Sequence, residues 1–142
     1  MKKITISFML LVSIISMVLL SSCVKDNAEF ILGKWHFEKM TCDVTSDDLW
    51  FLEYANETYD SNEYLEGSTF EFKSDNTLIY YNPKEGDTES LPYSIEGDQL
   101  VFDGTTYTIK SLTKRELVFE WSDTIFVNYT SGLVVTTYEY RR

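Results

Sequence analysis

The sequence predicts an all-β domain of about eight antiparallel strands, a small up-and-down barrel or a sandwich, with one short helix after the first strand. Three observations predict it. Apolar and polar residues alternate with period two through most of the chain after Ser68. Short turn signals rich in Gly, Asp and Asn separate these runs at regular spacing. The runs themselves are dominated by Val, Ile, Thr, Tyr and Phe, which suit a pleated, half-buried surface.

The first strand is "GKWHFEKMTC". Eight alternating runs follow between Ser68 and Arg142, and they are read as seven further strands. "STFEFKS" alternates Phe70 and Phe72 with Glu71 and Lys73, "SDN" turns the chain, and "TLIYY" resumes. After the loop "NPKEGD" comes "LPYSIE", with Tyr93 and Ile95 on one face. "EGDQ" and "DGTT" carry the glycine that a tight hairpin turn requires, and they bracket "QLVFD". "TYTIKS" and "ELVFEW" follow, the latter with Leu117, Phe119 and Trp121 on one face. "TIFVNY" and "LVVTTYEYRR" close the series, joined at "TSG".

The segment from Asp43 to Gly67 differs. It holds eight carboxylates and neither Lys nor Arg. "SDDLWFLEYA" reads as a short helix, with Ser46 as its cap and Asp47 and Asp48 in the first turn, where carboxylates oppose the helix dipole. The remainder is an acidic loop with Tyr59 and Tyr64, long enough to lie over one end of a barrel.

The N-terminus has a separate logic. Lys2 and Lys3 precede an apolar run from Ile4 to Leu20, and the small residues Ser21 and Ser22 stand before Cys23. That order is a secretory signal. "LSSC", Leu20 to Cys23, resembles the bacterial lipobox, in which cleavage falls just before the cysteine and acyl chains are added to its sulfur and new amino group. The resemblance implies a signal peptide over 1–22, a lipidated Cys23 beginning a tether over 23–30, and a folded domain over 31–142. It implies a protein of the cell envelope, anchored by lipid in the outer membrane. Two or three acyl chains suffice for stable attachment, at ~0.8 kcal/mol for each buried CH₂. Fully extended, Val24 to Phe30 reaches no more than roughly 20–25 Å. Loss of Lys2 and Lys3 takes 12 basic residues to 10, against 23 acidic ones, so the mature charge is −13. A domain of that charge is expected to be repelled by anionic headgroups, which leaves the acyl chains to hold it.

"ILGKWHF", with Gly33 and Trp35, resembles the Gly-X-Trp signature that opens the first strand of lipocalins. "GSTFEFKSDNTLIYY", "YSIEGDQLVFDGTTYTIKSLTKRELVFEW" and the closing "TTYEYRR" are similar to the lipocalin-like domains carried by lipoproteins of Bacteroidetes-type bacteria. The resemblance implies an up-and-down barrel, a tryptophan packed across one end, and a basic residue over it, here Arg141 or Arg142. It implies binding of a small apolar ligand rather than catalysis.

Eight strands enclose a lumen that side chains can fill or that can hold one small ligand. The inward set is expected to be Phe70, Phe72, Tyr80, Tyr93, Phe102, Tyr107, Phe119, Trp121 and Tyr138, so any residual pocket should be small and near an open end. The candidate ligand-binding residues are Trp35, Tyr80, Tyr93, Tyr107 and Trp121, beside the 43–67 segment. The competing reading is a filled barrel that binds another envelope protein through an apolar patch of Trp50, Phe51 and Tyr54. No cofactor or metal is expected. His36 is the only histidine, and Asp60, Asn62, Glu63 and Glu66 lack the glycine and spacing of an EF-hand. Cys42 reads as a small buried side chain in acidic surroundings. The acidic composition, without a basic stripe, argues against nucleic acid. Metabolic labelling with palmitate should mark the chain, and Cys23→Ser should abolish the label; an unlabelled wild-type chain would remove the anchor.

Overall fold

The computed structural model describes residues 27–59 and 61–142. The expected signal peptide, Cys23 and Asp60 lie outside the described residues. The elements run in the order α1 (Asn27–Phe30), β1 (Gly33–Thr45), α2 (Leu49–Tyr59), α3 (Asn62–Leu65), β2 (Thr69–Phe72), β3 (Thr77–Asn82), β4 (Asp87–Glu96), β5 (Gln99–Phe102), β6 (Thr105–Leu112), β7 (Glu116–Val127) and β8 (Thr130–Arg141). Each strand pairs antiparallel with the next, and β8 pairs with β1, so the eight strands close into an up-and-down barrel. Closure leaves no sheet edge, which settles barrel over sandwich.

Two bulges keep the apolar face inward. Trp35 and Phe37 face the core, and strict alternation would send Lys39 there too. The register shifts between Phe37 and Lys39. Lys39 then pairs outside with Glu139 at 3.1 Å, and Met40 turns inward, 5 % exposed. A second shift between Ile109 and Ser111 accompanies an outward Lys110, 3.7 Å from Glu120. The main core holds Trp35, Phe70, Phe72, Leu78, Leu100, Leu117, Phe119 and Tyr140, all buried.

The two ends of the barrel differ. At one end Trp35 is fully buried, and its Nε1 donates to the Ile31 carbonyl at 2.7 Å. The Arg142 guanidinium lies over the ring, 4.1 Å from its centroid. The same side chain donates to the carbonyls of Leu32, Phe30 and Lys114 at 2.6, 2.9 and 2.8 Å. One guanidinium thus joins α1, the start of β1 and the β6–β7 turn. Gly33, at φ +113°, makes room: a Cβ there would stand 3.0 Å from Arg142 Nη1. Asn27–Phe30, expected to be tether, is a helical turn held to the β4–β5 turn by Asn27 Nδ2 donating to Gly97 at 2.7 Å.

At the other end β1, β7 and β8, with 13, 12 and 12 residues, outrun the four-residue β2 and β5. Helix α2 covers the inward face of this extension. Phe51, Ala55 and Val134 form its buried centre, with Cys42, Val44, Trp121 and Ile125 around them. Phe51 is therefore fully buried, which corrects its expected place in an exposed patch. The cap is also corrected. Asp48, next to the first helical residue, accepts from the Phe51 amide at 3.1 Å, while Ser46 donates to Ser131 at 2.7 Å. The last hairpin turns at Asn128 and Tyr129, with φ of 47° and 71°, and not at "TSG". Gly132 lies inside β8 because the Phe51 ring rests on it: a Cβ would meet Phe51 Cδ1 at 2.7 Å.

Arg142→Ala should cost about 2–3 kcal/mol, from the lost cation–π contact and carbonyl bonds. Arg142→Lys should restore little, because an ammonium cannot reproduce the fork. Urea unfolding followed by tryptophan fluorescence measures both.

Candidate functional site

The α2 end of the barrel is open. β2 and β5 stop short there, and a cavity of about 170 Å³ enters the lumen. Its wall is aromatic: Phe70, Tyr80, Phe102, Tyr107, Phe119, Tyr138 and Tyr140. The rings brace one another. Phe70 stacks on Tyr140 at 4.8 Å, Phe102 on Tyr107 at 4.6 Å, and Phe119 on Tyr138 at 5.2 Å. Leu65, Leu91, Glu89 and Asp103 complete the lining. A second cavity of about 280 Å³ shares Tyr107 and Tyr138 with the first and extends beneath α2 to Met40, Tyr59, Trp121 and Thr136.

The short helix α3 supplies the rim. Asn62 clasps β1 through its side chain, accepting from the Met40 amide and donating to the Met40 carbonyl, both at 2.7 Å. Tyr64 donates its hydroxyl to Glu85 on the β3–β4 turn. That bond, aided by the carboxylate's charge, raises the Tyr64 pKa to about 12. Both contacts hold Leu65 at the cavity.

Hydroxyls line the space without a cation. Asn82 Nδ2 donates to the Tyr80 oxygen at 3.1 Å, which orients that phenol. Burial raises the pKa of Tyr80, and the charges of Glu85 and Glu89 raise it further. Burial likewise raises that of Tyr107, with Asp103 adding to it. Tyr138 is pushed up to about 12, mainly by burial. These phenols are neutral donors at ordinary pH.

Of the five candidates, Tyr80 and Tyr107 line the first cavity, and Trp121 and Tyr107 line the second. Trp35 stands at the closed end under Arg142. Tyr93 also points that way, donating its hydroxyl to the Lys73 carbonyl at 2.9 Å and packing its ring on Phe72 at 5.0 Å. Five residues lining the first cavity went unread: Leu65, Glu89, Leu91, Asp103 and Tyr140. Tyr140 follows Tyr138 by two positions, so alternation could have found it. Glu89 shares a face with Leu91 and Tyr93 by the same rule. Asp103 belongs to a hairpin turn and Leu65 to α3, and neither carries a local signal of facing a lumen. Among the described residues, no group of three His, Cys, Asp or Glu side chains could hold a metal ion.

Because the folded protein holds the Tyr138 proton more tightly than the unfolded chain, stability is retained below the ordinary pKa of 10.0 and falls as pH rises towards about 12. Tyr138→Phe should flatten that decline. Urea unfolding across this window is the measurement; an unchanged slope would contradict the assignment.

A family model described as a lipocalin-like domain matches residues 31–119. No curated protein matches the chain. Members of this family are generally non-catalytic binding proteins. The match runs from Ile31, two residues before Gly33, into β7, more than half of the chain, and the closed eight-stranded barrel agrees with it. The chain belongs to the lipocalin-like domain family.

Proposed function

We propose that this protein is a cell-envelope lipoprotein, anchored at Cys23, whose barrel binds a small apolar or aromatic ligand at its open end without catalysis. The aromatic cavity carries the reading. Its 170 Å³ is close to the ~150 Å³ that admits a benzene ring. The adjoining 280 Å³ brings the whole to the lower part of the ~300–1,000 Å³ range of small-molecule sites. Long lipids do not fit. Tyr80, Tyr107 and Tyr138 supply directed hydroxyls among the rings, the mixture that orients a ligand in an apolar pocket.

The anchor and the cavity are compatible. The described chain begins at the closed end, where Asn27 meets Gly97. Three residues separate Cys23 from Asn27, a reach of roughly 10–13 Å. An acylated Cys23 would hold the closed end towards the bilayer and leave the mouth facing away. The acidic charge is also uneven. Lys34, Lys73, Lys114, Arg115, Arg141 and Arg142 all lie at the closed end, which softens the repulsion expected from net charge alone.

A second reading has its own support. Leu49, Phe126 and Tyr129 are 82 %, 77 % and 110 % exposed near the α2 end, and Trp50 stacks on Tyr54 beside them. These residues would serve docking to another envelope protein.

The neutral dye N-phenyl-1-naphthylamine separates the two. Titrated into the protein in nanodiscs, with empty nanodiscs as the blank, it should show saturable energy transfer from tryptophan. Trp121→Phe should reduce the transfer and Trp50→Phe should not. No saturable signal, together with concentration-dependent self-association or partner capture, would overturn ligand binding in favour of docking.

A further inference from the structure

From the charge and ring chemistry of the open end, we infer that the ligand of the barrel mouth is a small organic cation, an aromatic or alkyl amine seated among the rings. The inference rests on the ligand-binding reading above and gives it a chemical class.

Two carboxylates stand at the cavity. Glu89 pairs across the sheet with Tyr80, and directly opposed residues share a face, so Glu89 projects on the lumen side of β4. Asp103 occupies the first position of the β5–β6 turn with φ 49°, immediately after the lining residue Phe102. Neither takes part in an ion pair among the described residues. An inward-facing carboxylate at the rim of an apolar barrel, without a basic partner, leaves a negative charge that the site itself does not answer.

The walls favour a cation as well. The faces of phenylalanine and tyrosine rings attract a positive group within ~6 Å, more strongly when water is excluded. Seven such rings surround this cavity, and neither cavity is lined by Lys, Arg or His. A carboxylate ligand would meet only repulsion from Glu89 and Asp103.

The surroundings extend the same field. Residues 43–67, the start of β4 and the β7–β8 hairpin contribute Asp and Glu with no Lys or Arg. Lys84, on the β3–β4 turn, is the one basic residue among the described segments that ring the mouth. The basic residues gather instead at the closed end. A low-dielectric cleft lined by one sign of charge concentrates the opposite ion and speeds its arrival.

The test uses three probes of nearly equal shape: phenethylamine, 2-phenylethanol and phenylacetate. Each competes with N-phenyl-1-naphthylamine on the lipid-anchored protein in nanodiscs, with empty nanodiscs subtracted. Phenethylamine should bind about ten-fold more tightly than the alcohol, and phenylacetate should be weakest. Added salt should narrow the preference. Glu89→Gln with Asp103→Asn should bring amine and alcohol to within about two-fold, since the aromatic contribution alone then remains. Asn tolerates the left-handed backbone at 103, and Glu89 is exposed, so the urea midpoint should hold. If the dye binds but amine and alcohol compete equally, or the acid competes best, the cation inference fails and the ligand site stands. If neither dye nor any probe binds, the site itself fails.

Discussion

Everything above the floor of this barrel depends on how the floor is made. Trp35 fills the closed end, and Arg142, the last residue, lies across it while binding three carbonyls from two separate parts of the chain. A cation stacked on an indole and forked to backbone acceptors is a use for which lysine has the wrong shape. The contact joins the first strand to the last and so fixes β1 against β8, the pairing that closes the sheet. It also seals one end, and the aromatic cavity lies towards the other.

Strand length then divides the interior in two. β1, β7 and β8 continue past their neighbours, and their inward faces would be wet if α2 did not cover them. Phe51 reaches the sheet only because position 132 lacks a side chain. The result is a ring-filled main core, a smaller core under α2, and a cavity where they meet. Tyr107 and Tyr138 stand at that junction and face both spaces. The site is therefore a by-product of unequal strands. Packing around it is rigid because each ring is held edge-on or stacked by another.

Charge follows the same axis. The net charge of −11 is not spread evenly, since acids crowd the open end and basic residues the closed end. A molecule so polarised presents electrostatically different faces at its two ends. Its mouth is bordered by carboxylates, while the closed end carries Lys34, Lys73, Lys114, Arg115, Arg141 and Arg142. Net charge alone, the quantity legible from composition, hides this, because it has no position.

Local signals carried much of the architecture. Period-two alternation and hairpin turns are properties of a few adjacent residues, and they located β2 to β6 and the eight-strand total, because the pleat imposes its pattern on the sequence directly. The inward rings Phe70, Tyr80, Phe102, Tyr107, Phe119 and Tyr138 were legible for the same reason. What depends on residues far apart was not. The glycine of "TSG" reads as a turn but is a gap for Phe51, eighty-one positions away. Trp35 and Tyr93 read as lining, yet register and their hydrogen-bond partners hold them at the closed end. Leu65, Glu89 and Asp103 come together only because the sheet closes. The sequence by itself determined strands β2 to β6, the inward rings and the family. The tertiary structure decided which end is open, how much space the rings leave there, and what charge surrounds it, because those are relations between distant parts of the chain that alternation along a strand does not encode.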